Sequence, residues 1–165
     1  MSATDDTRSS GLHFEDFLVG QTWTTRERLI TQDDVDRFAA LTGDENPVHI
    51  DAAFAARTPF RKRIAHGLLV ESLASGLAWQ LGIFRDTIVA LREVSMRFEA
   101  PVVPGDILRL ELEVLDRDAT PGPRRGGVRL ATRVRNQDGQ LVLDGAWSTI
   151  VLRQPTAPRG STSST

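Results

Sequence analysis

Cysteine is absent from the 165 residues. That excludes disulfides, thiolate nucleophiles, Cys-ligated zinc and iron–sulfur clusters, and it fits a cytoplasmic chain. A basic excess is missing too: 20 Lys and Arg stand against 22 Asp and Glu, for a formal net charge of −2. Without a basic block, nucleic acid is not an expected partner. Anionic cofactors stay open, because a local Arg/Lys patch suffices for them. There is no long apolar run. The stretch 68–81 is the most apolar, but it is too short for a membrane span and is interrupted by Glu71, Ser72, Ser75 and Gln80. The start, MSATDDTRSSG, lacks the apolar core of a signal peptide. No segment repeats.

What is present suits one globular domain: 40% hydrophobic and 25% charged residues. Residues 1–11 are polar, and 154–165 are rich in Pro, Ser, Thr and Gly, so both ends read as disordered tails around a domain at 12–153. Residues 22–30 read as one short strand. Thr31 is a good N-cap, with Asp33 and Asp34 in the first turn, for a helix that Gly43 stops. Asn46-Pro47 predicts an extended or turn conformation, and Asp51 caps a short helix over 52–57. Residues 67–81 predict a helix apolar nearly all round, and so buried on most sides.

The remainder is strand-like. Residues 87–98 alternate with a shift near Arg92-Glu93, a candidate bulge. Leu108, Leu110, Leu112 and Val114 face one way, opposite Arg109, Glu111 and Glu113. The run 118–127 reads as a flexible connection, 137–140 as a hairpin turn and 141–152 as an interior strand. The expected class is α+β: an antiparallel sheet around one long buried helix.

The chemistry concentrates between Phe38 and Gly67. Asp44 and His49 are separated by four residues, with Pro47 stiffening the loop between them. Three readings stand. The segment D-E-N-P makes a turn with Asx hydrogen bonds. A carboxylate and an imidazole near one point polarise a water and exchange protons with it. Two or three of Asp44, His49, Asp51 and His66 hold a metal, although they form no compact ligand motif. If Gly67 opens the long helix, its free N–H suits a carbonyl oxygen that gains negative charge. Ser75 reads either as a helix serine bonding back to its own backbone or as a pocket residue.

The run FAALTGDENPVHIDAAFA, residues 38–55, resembles the hydratase signature of the MaoC-like family of (R)-specific enoyl-CoA hydratases. The runs IAHGLL (64–69) and FEAPVVPGD (98–106) are similar to that family as well, and the resemblance spans roughly residues 15–152. It implies a single hot-dog domain and a homodimer joined edge to edge, with no metal or redox cofactor. It also implies reversible syn hydration of a trans-2-enoyl-CoA to an (R)-3-hydroxyacyl-CoA. Asp44 and His49 match the catalytic pair, and Gly67 the glycine whose N–H binds the thioester oxygen. Ser75 matches a pocket serine, while Asn46 and His66 belong to the matching motifs. CoA, or acyl carrier protein, would carry the substrate. Arg61, Lys62 and Arg63 read either as a solvated loop or as contacts for CoA phosphates. Glu71, Ser72 and Trp79 would flank the acyl group, and a charge and an indole there disfavour long plain chains. An acyl-CoA thioesterase and a non-catalytic acyl-thioester binding subunit are the competing hypotheses. The Asp/His pair argues against both.

Overall fold

Strict alternation in the second half of the chain builds most of an antiparallel sheet. Its strands are β1 (Thr22–Thr24), β2 (Arg28–Leu29), β3 (Ile88–Phe98), β4 (Ile107–Asp118), β5 (Arg125–Arg135) and β6 (Leu141–Leu152). The order is β1-β4-β5-β6-β3, with β2 also pairing β4. The computed structural model describes residues 10–155. The expected tails fall mostly outside that range. Where they enter it they are hydrogen-bonded: the Gly11 N–H donates to the Arg85 carbonyl and the Gln154 N–H to Glu15.

β4 carries the clearest period-two pattern, and Leu108, Leu110, Leu112 and Val114 are fully buried on its inner face. The long helix α4 (Gly67–Gln80) lies across that face and buries Leu69, Val70, Ala74, Leu77 and Ala78 in the same core. Its other face is open in the single chain. Leu68 is 59% and Trp79 56% exposed, and Ser72, Ser75 and Gly76 are exposed beside them. The helix expected to be buried on most sides is therefore buried on one. The sheet supplies only one layer, and the apolar residues on the far side await another surface.

Other differences have local causes. The single early strand is two short pieces, because Thr25 breaks it: its hydroxyl accepts from the Leu110 N–H and donates to the Arg26 carbonyl. The 118–127 connection is shorter than expected, since β4 runs to Asp118 and β5 starts at Arg125. Gly126 lies within β5, paired with Val151, and is glycine because a Cβ there would run into the Phe14 ring. The bulge in β3 is present, as a register shift between Leu91 and Glu93 against β6.

Helix α1 (Gln32–Thr42) begins with a capping box. The Thr31 hydroxyl accepts from the Asp34 N–H, and the Asp34 carboxylate accepts from the Thr31 N–H. Burial alone would raise the Asp34 carboxyl, but Thr31 and the Arg28 guanidinium outweigh it and hold it below its ordinary value. Gly43 ends α1 in the left-handed region, at φ 76°.

Candidate active site

Past Gly43 the chain makes two one-turn helices: α2 (Pro47–Ile50), unmarked in the sequence, follows an Asn46 that is extended as Pro47 requires, and α3 (Ala52–Ala55) is the Asp51-capped helix expected over 52–57, only shorter. Pro47 is tolerated at the first position of α2, where its missing N–H would have no partner. Asn46 caps α2 by accepting from the Val48 N–H at 3.2 Å. Asp51 caps α3 by accepting from the Ala53 and Phe54 N–H groups at 2.8 and 3.0 Å. Asn46 and Asp51 are thus engaged in holding the segment. They set the turn that places His49 on the last residues of α2.

The chain then returns toward α4. Ile64 donates to the Val48 carbonyl, and Ala65 to the Val102 carbonyl at 2.7 Å. This return lays His66 directly against His49, with ring centroids 3.8 Å apart and planes 30° from parallel. Phe38 of α1 closes the other side of His66 at 5.0 Å. His66 is 2% exposed. Its Nε2–H donates to the Asp44 carbonyl at 2.9 Å, so this imidazole fixes the backbone of the Asp44 loop. The His49 Nδ1–H donates to the Ile64 carbonyl at 2.8 Å. In the neutral ring this leaves Nε2 as the free lone pair.

A carboxylate oxygen of Asp44 and a ring nitrogen each of His49 and His66 lie within 4.8 Å of one another. That separation lets one water bridge two of them at ordinary hydrogen-bond lengths of about 2.8 Å. The same three donors make the metal reading geometrically conceivable. Asp51 has no part in it, since its carboxylate caps α3.

Asp44, His49, His66 and Gly67 line one cleft of about 400 Å³, with Phe60, Ile64, Phe98, Pro101 and Val142 among its walls. Gly67 is the first residue of α4, and among the described residues nothing accepts from its N–H. The first turn of a 14-residue helix carries partial positive charge, which reinforces that donor. Phe98, at the end of β3, lies over Gly67; a Cβ on Gly67 would fall 2.6 Å from its ring. In the sequence Phe98 carries two signals, the alternation of residues 87–98 and the start of FEAPVVPGD, neither of which points to Gly67, and the Ile64 carbonyl carries none.

Other candidates lie elsewhere. Ser75 is two helical turns past Gly67, about 12 Å along the axis, and lines a second cavity with Trp79. Ser72 is exposed, and its hydroxyl donates to the Leu68 carbonyl at 2.7 Å. The helix serine bonding back to its own backbone is therefore Ser72. Arg63 donates to the Ile50 carbonyl and pairs with Asp36, so it braces the segment. Arg61 and Lys62 are exposed next to Phe60 of the cleft wall. Glu71 is buried. Its Oε1 accepts from the Trp147 indole N–H at 2.6 Å, while Oε2 has no partner. Burial pushes its carboxyl up, and the indole N–H only partly opposes that.

An antiparallel sheet across a central helix, with the cleft at that helix's N-terminus, is a hot-dog fold. A Mycobacterium tuberculosis protein described as a double hotdog fold shares it at TM-score 0.78 and 21% identity, over 94% of this chain and 48% of that one. The chain belongs to the MaoC-like dehydratase and (R)-specific enoyl-CoA hydratase family. The MaoC like domain matches residues 16–133. A 3-hydroxybutyryl-CoA dehydratase of Methylorubrum extorquens is 42% identical over 135 residues, 81% of this chain and 80% of that protein. An (R)-specific enoyl-CoA hydratase of Aeromonas caviae is 40% identical over 113 residues, 68% of this chain and 79% of that protein. The unliganded R-hydratase of Pseudomonas aeruginosa superposes at TM-score 0.74 with 37% identity, over 92% of this chain and 96% of that one. These relatives are hydro-lyases.

Proposed function

We propose that this protein catalyses reversible syn hydration of a trans-2-enoyl thioester to an (R)-3-hydroxyacyl thioester. One observation carries the reading: the Asp44 carboxylate, His49 and the unengaged Gly67 N–H line a single cleft. The thioester oxygen sits at the Gly67 N–H, which stabilises the enolate charge that develops there. A water between Asp44 and His49 adds its oxygen to the β-carbon. Its proton reaches the α-carbon on the same face through the pair, which acts as one coupled acid/base unit. His66 positions Asp44 and does not itself meet the substrate. The carrier is CoA or acyl carrier protein, and the exposed Arg61 and Lys62, next to Phe60 of the cleft wall, are its phosphate contacts in this reading.

The open edge of β3 and the exposed face of α4 support a homodimer joined along that edge. Light scattering at a dimer's mass is the expected result.

The deciding assay follows loss of the conjugated-thioester absorbance with crotonyl-CoA. Asp44→Asn and His49→Ala are each expected to lower the rate by about 10²-fold or more. Loss that persists in both variants would remove the site assignment, and no loss with any enoyl thioester of a small panel would remove the reaction.

A further inference from the structure

The chain has three histidines and no cysteine. His13, His49 and His66 are therefore its only side chains that bind zinc through an imidazole or a thiolate. Two of them, His49 and His66, stack on each other in the cleft. The reaction described above uses a lone pair of His49 and none of His66.

Each of these two rings already has the partner that orients a metal ligand. A metal-bound imidazole characteristically donates its other N–H to a backbone carbonyl or a carboxylate, which fixes the tautomer. The His49 Nδ1–H goes to the Ile64 carbonyl at 2.8 Å, and the His66 Nε2–H to the Asp44 carbonyl at 2.9 Å. The lone pairs left over are Nε2 of His49 and Nδ1 of His66. His66 Nδ1 is buried and, among the described residues, nothing donates to it. Holding the Asp44 backbone needs only the Nε2–H, and a buried nitrogen without a partner is destabilising. The positioning role thus leaves this atom unexplained.

Asp44 supplies the third donor. One of its carboxylate oxygens and a ring nitrogen of each histidine lie within 4.8 Å of one another. Tetrahedral zinc, about 2.0–2.2 Å from nitrogen and oxygen ligands, sets those ligands about 3.4 Å apart. At most about 1.4 Å has to close. The Asp44 carboxylate is the part free to move, being exposed and held only by the Asn46 N–H at 3.4 Å.

We propose that Asp44, His49 and His66 form a zinc site superimposed on the cleft's acid/base pair, and that Zn²⁺ bound there is a reversible inhibitor. Three protein ligands leave a fourth position for water. Two imidazoles favour zinc over Mg²⁺ and Ca²⁺, which take oxygen ligands. The ion occupies the His49 lone pair and the Asp44 carboxylate through which the proposed hydration moves its proton, so hydration stops while it is bound. The inhibition rests on the proposed reaction; the binding does not.

Zn²⁺ is titrated into the full chain by calorimetry, with Co²⁺ as a spectroscopic stand-in. Wild type is expected to bind one Zn²⁺ with a Kd of about 10 μM or tighter. His66→Gln keeps an N–H for the Asp44 carbonyl but loses the imidazole. It, His49→Ala and Asp44→Asn should each weaken Zn²⁺ by at least about tenfold, since even an outer partner of a ligand is worth about 10–100-fold. His13→Ala should bind as wild type does. Bound Co²⁺ should show the intense visible bands of a four-coordinate ion, absent in His66→Gln. Crotonyl-CoA hydration should fall with Zn²⁺ occupancy, return with EDTA and ignore Mg²⁺. Weaker wild-type binding, wild-type affinity in His66→Gln or His49→Ala, or loss of binding in His13→Ala overturns the site. If His66→Gln does not fold, His49→Ala and Asp44→Asn decide in the same way. Zn²⁺ bound through these donors with hydration unchanged or raised overturns the inhibition. Zn²⁺ binding in a chain that hydrates no enoyl thioester overturns the proposed reaction and leaves the metal site standing.

Discussion

Replacing Gly67 by alanine should separate activity from stability. The added Cβ would lie 2.6, 2.7 and 2.9 Å from three atoms of the Phe98 ring. Carbon atoms rest at about 3.5–4.0 Å, so the ring must retreat by about 1 Å. It can do so cheaply: Phe98 is 53% exposed, and its ring is the far end of a side chain at a strand terminus. An off-rotamer ring costs about 0.5–1.5 kcal/mol, and alanine recovers up to about 1 kcal/mol of helix propensity over glycine. The net change in stability is then within about 1 kcal/mol, a shift in Tm of no more than about 4 °C for a chain this long. Activity has no such compensation. Either the ring swings into the cleft it lines, or the first turn of α4 withdraws and carries the Gly67 N–H with it. Loss of one oxyanion donor lowers kcat by about 10²–10³-fold. The assay is kcat/KM on crotonyl-CoA beside a thermal melt, for Gly67→Ala, Phe98→Ala and the double variant. The double variant should regain at least about tenfold over Gly67→Ala, because the two side chains share one contact. Wild-type activity in Gly67→Ala would refute the oxyanion assignment. A drop in Tm beyond about 10 °C would make the glycine a packing requirement. Failure of Phe98→Ala to restore activity would show that the clash is not the cause.

Three further outcomes follow from the hydrogen bonds and ionisations. Glu71→Gln should gain stability over wild type as pH rises. Burial holds the folded-state pKa of Glu71 above its ordinary 4.5, so its favourable contribution is complete below that value and lost as pH climbs through the folded-state value. Melts of both proteins at pH 5 and pH 8 should therefore show a wider gap at pH 8, and a constant gap would contradict the buried carboxyl. Asp34→Ala should lose about 1 kcal/mol at pH 7 with the capping box, and this gap should close as pH falls through and below the ordinary 3.8, because the folded-state value is lowered. His66→Ala removes the donor to the Asp44 carbonyl and should lower kcat at least about tenfold with KM nearly unchanged; an effect confined to KM would refute a positioning role.

Much of this arrangement was legible in the sequence because it rests on local rules. Thr31, Gly43 and Asp51 declare helix ends through their own side chains or conformations, and the β4 alternation needs only a period of two. The misreadings have non-local causes. Thr25 breaks the first strand through a bond to Leu110, 85 residues away. The α4 pattern reports apolar content, which does not say how many layers a single chain can supply. The stacking of His66 on His49 and the Trp147 bond to Glu71 join segments far apart in the chain, so only the fold reveals them.

The groups proposed to be catalytic differ from their neighbours more sharply in hydrogen bonding than in position. In the run from Thr42 to Gly67, Asn46 and Asp51 are occupied as caps, Arg63 as a brace, and Thr42 by the Phe38 carbonyl at 2.7 Å. Each imidazole gives one nitrogen to a backbone carbonyl. The Asp44 carboxylate accepts only from the Asn46 N–H, at 3.4 Å, too long to hold it strongly. In the cleft this leaves a weakly held carboxylate, one free nitrogen on His49 and the Gly67 N–H. These three groups match the acid/base pair and oxyanion donor that the proposed addition of water to a conjugated thioester requires. Most of the surrounding groups are satisfied by one another, the buried His66 Nδ1 being the exception, and that bonding keeps those three oriented without neutralising them.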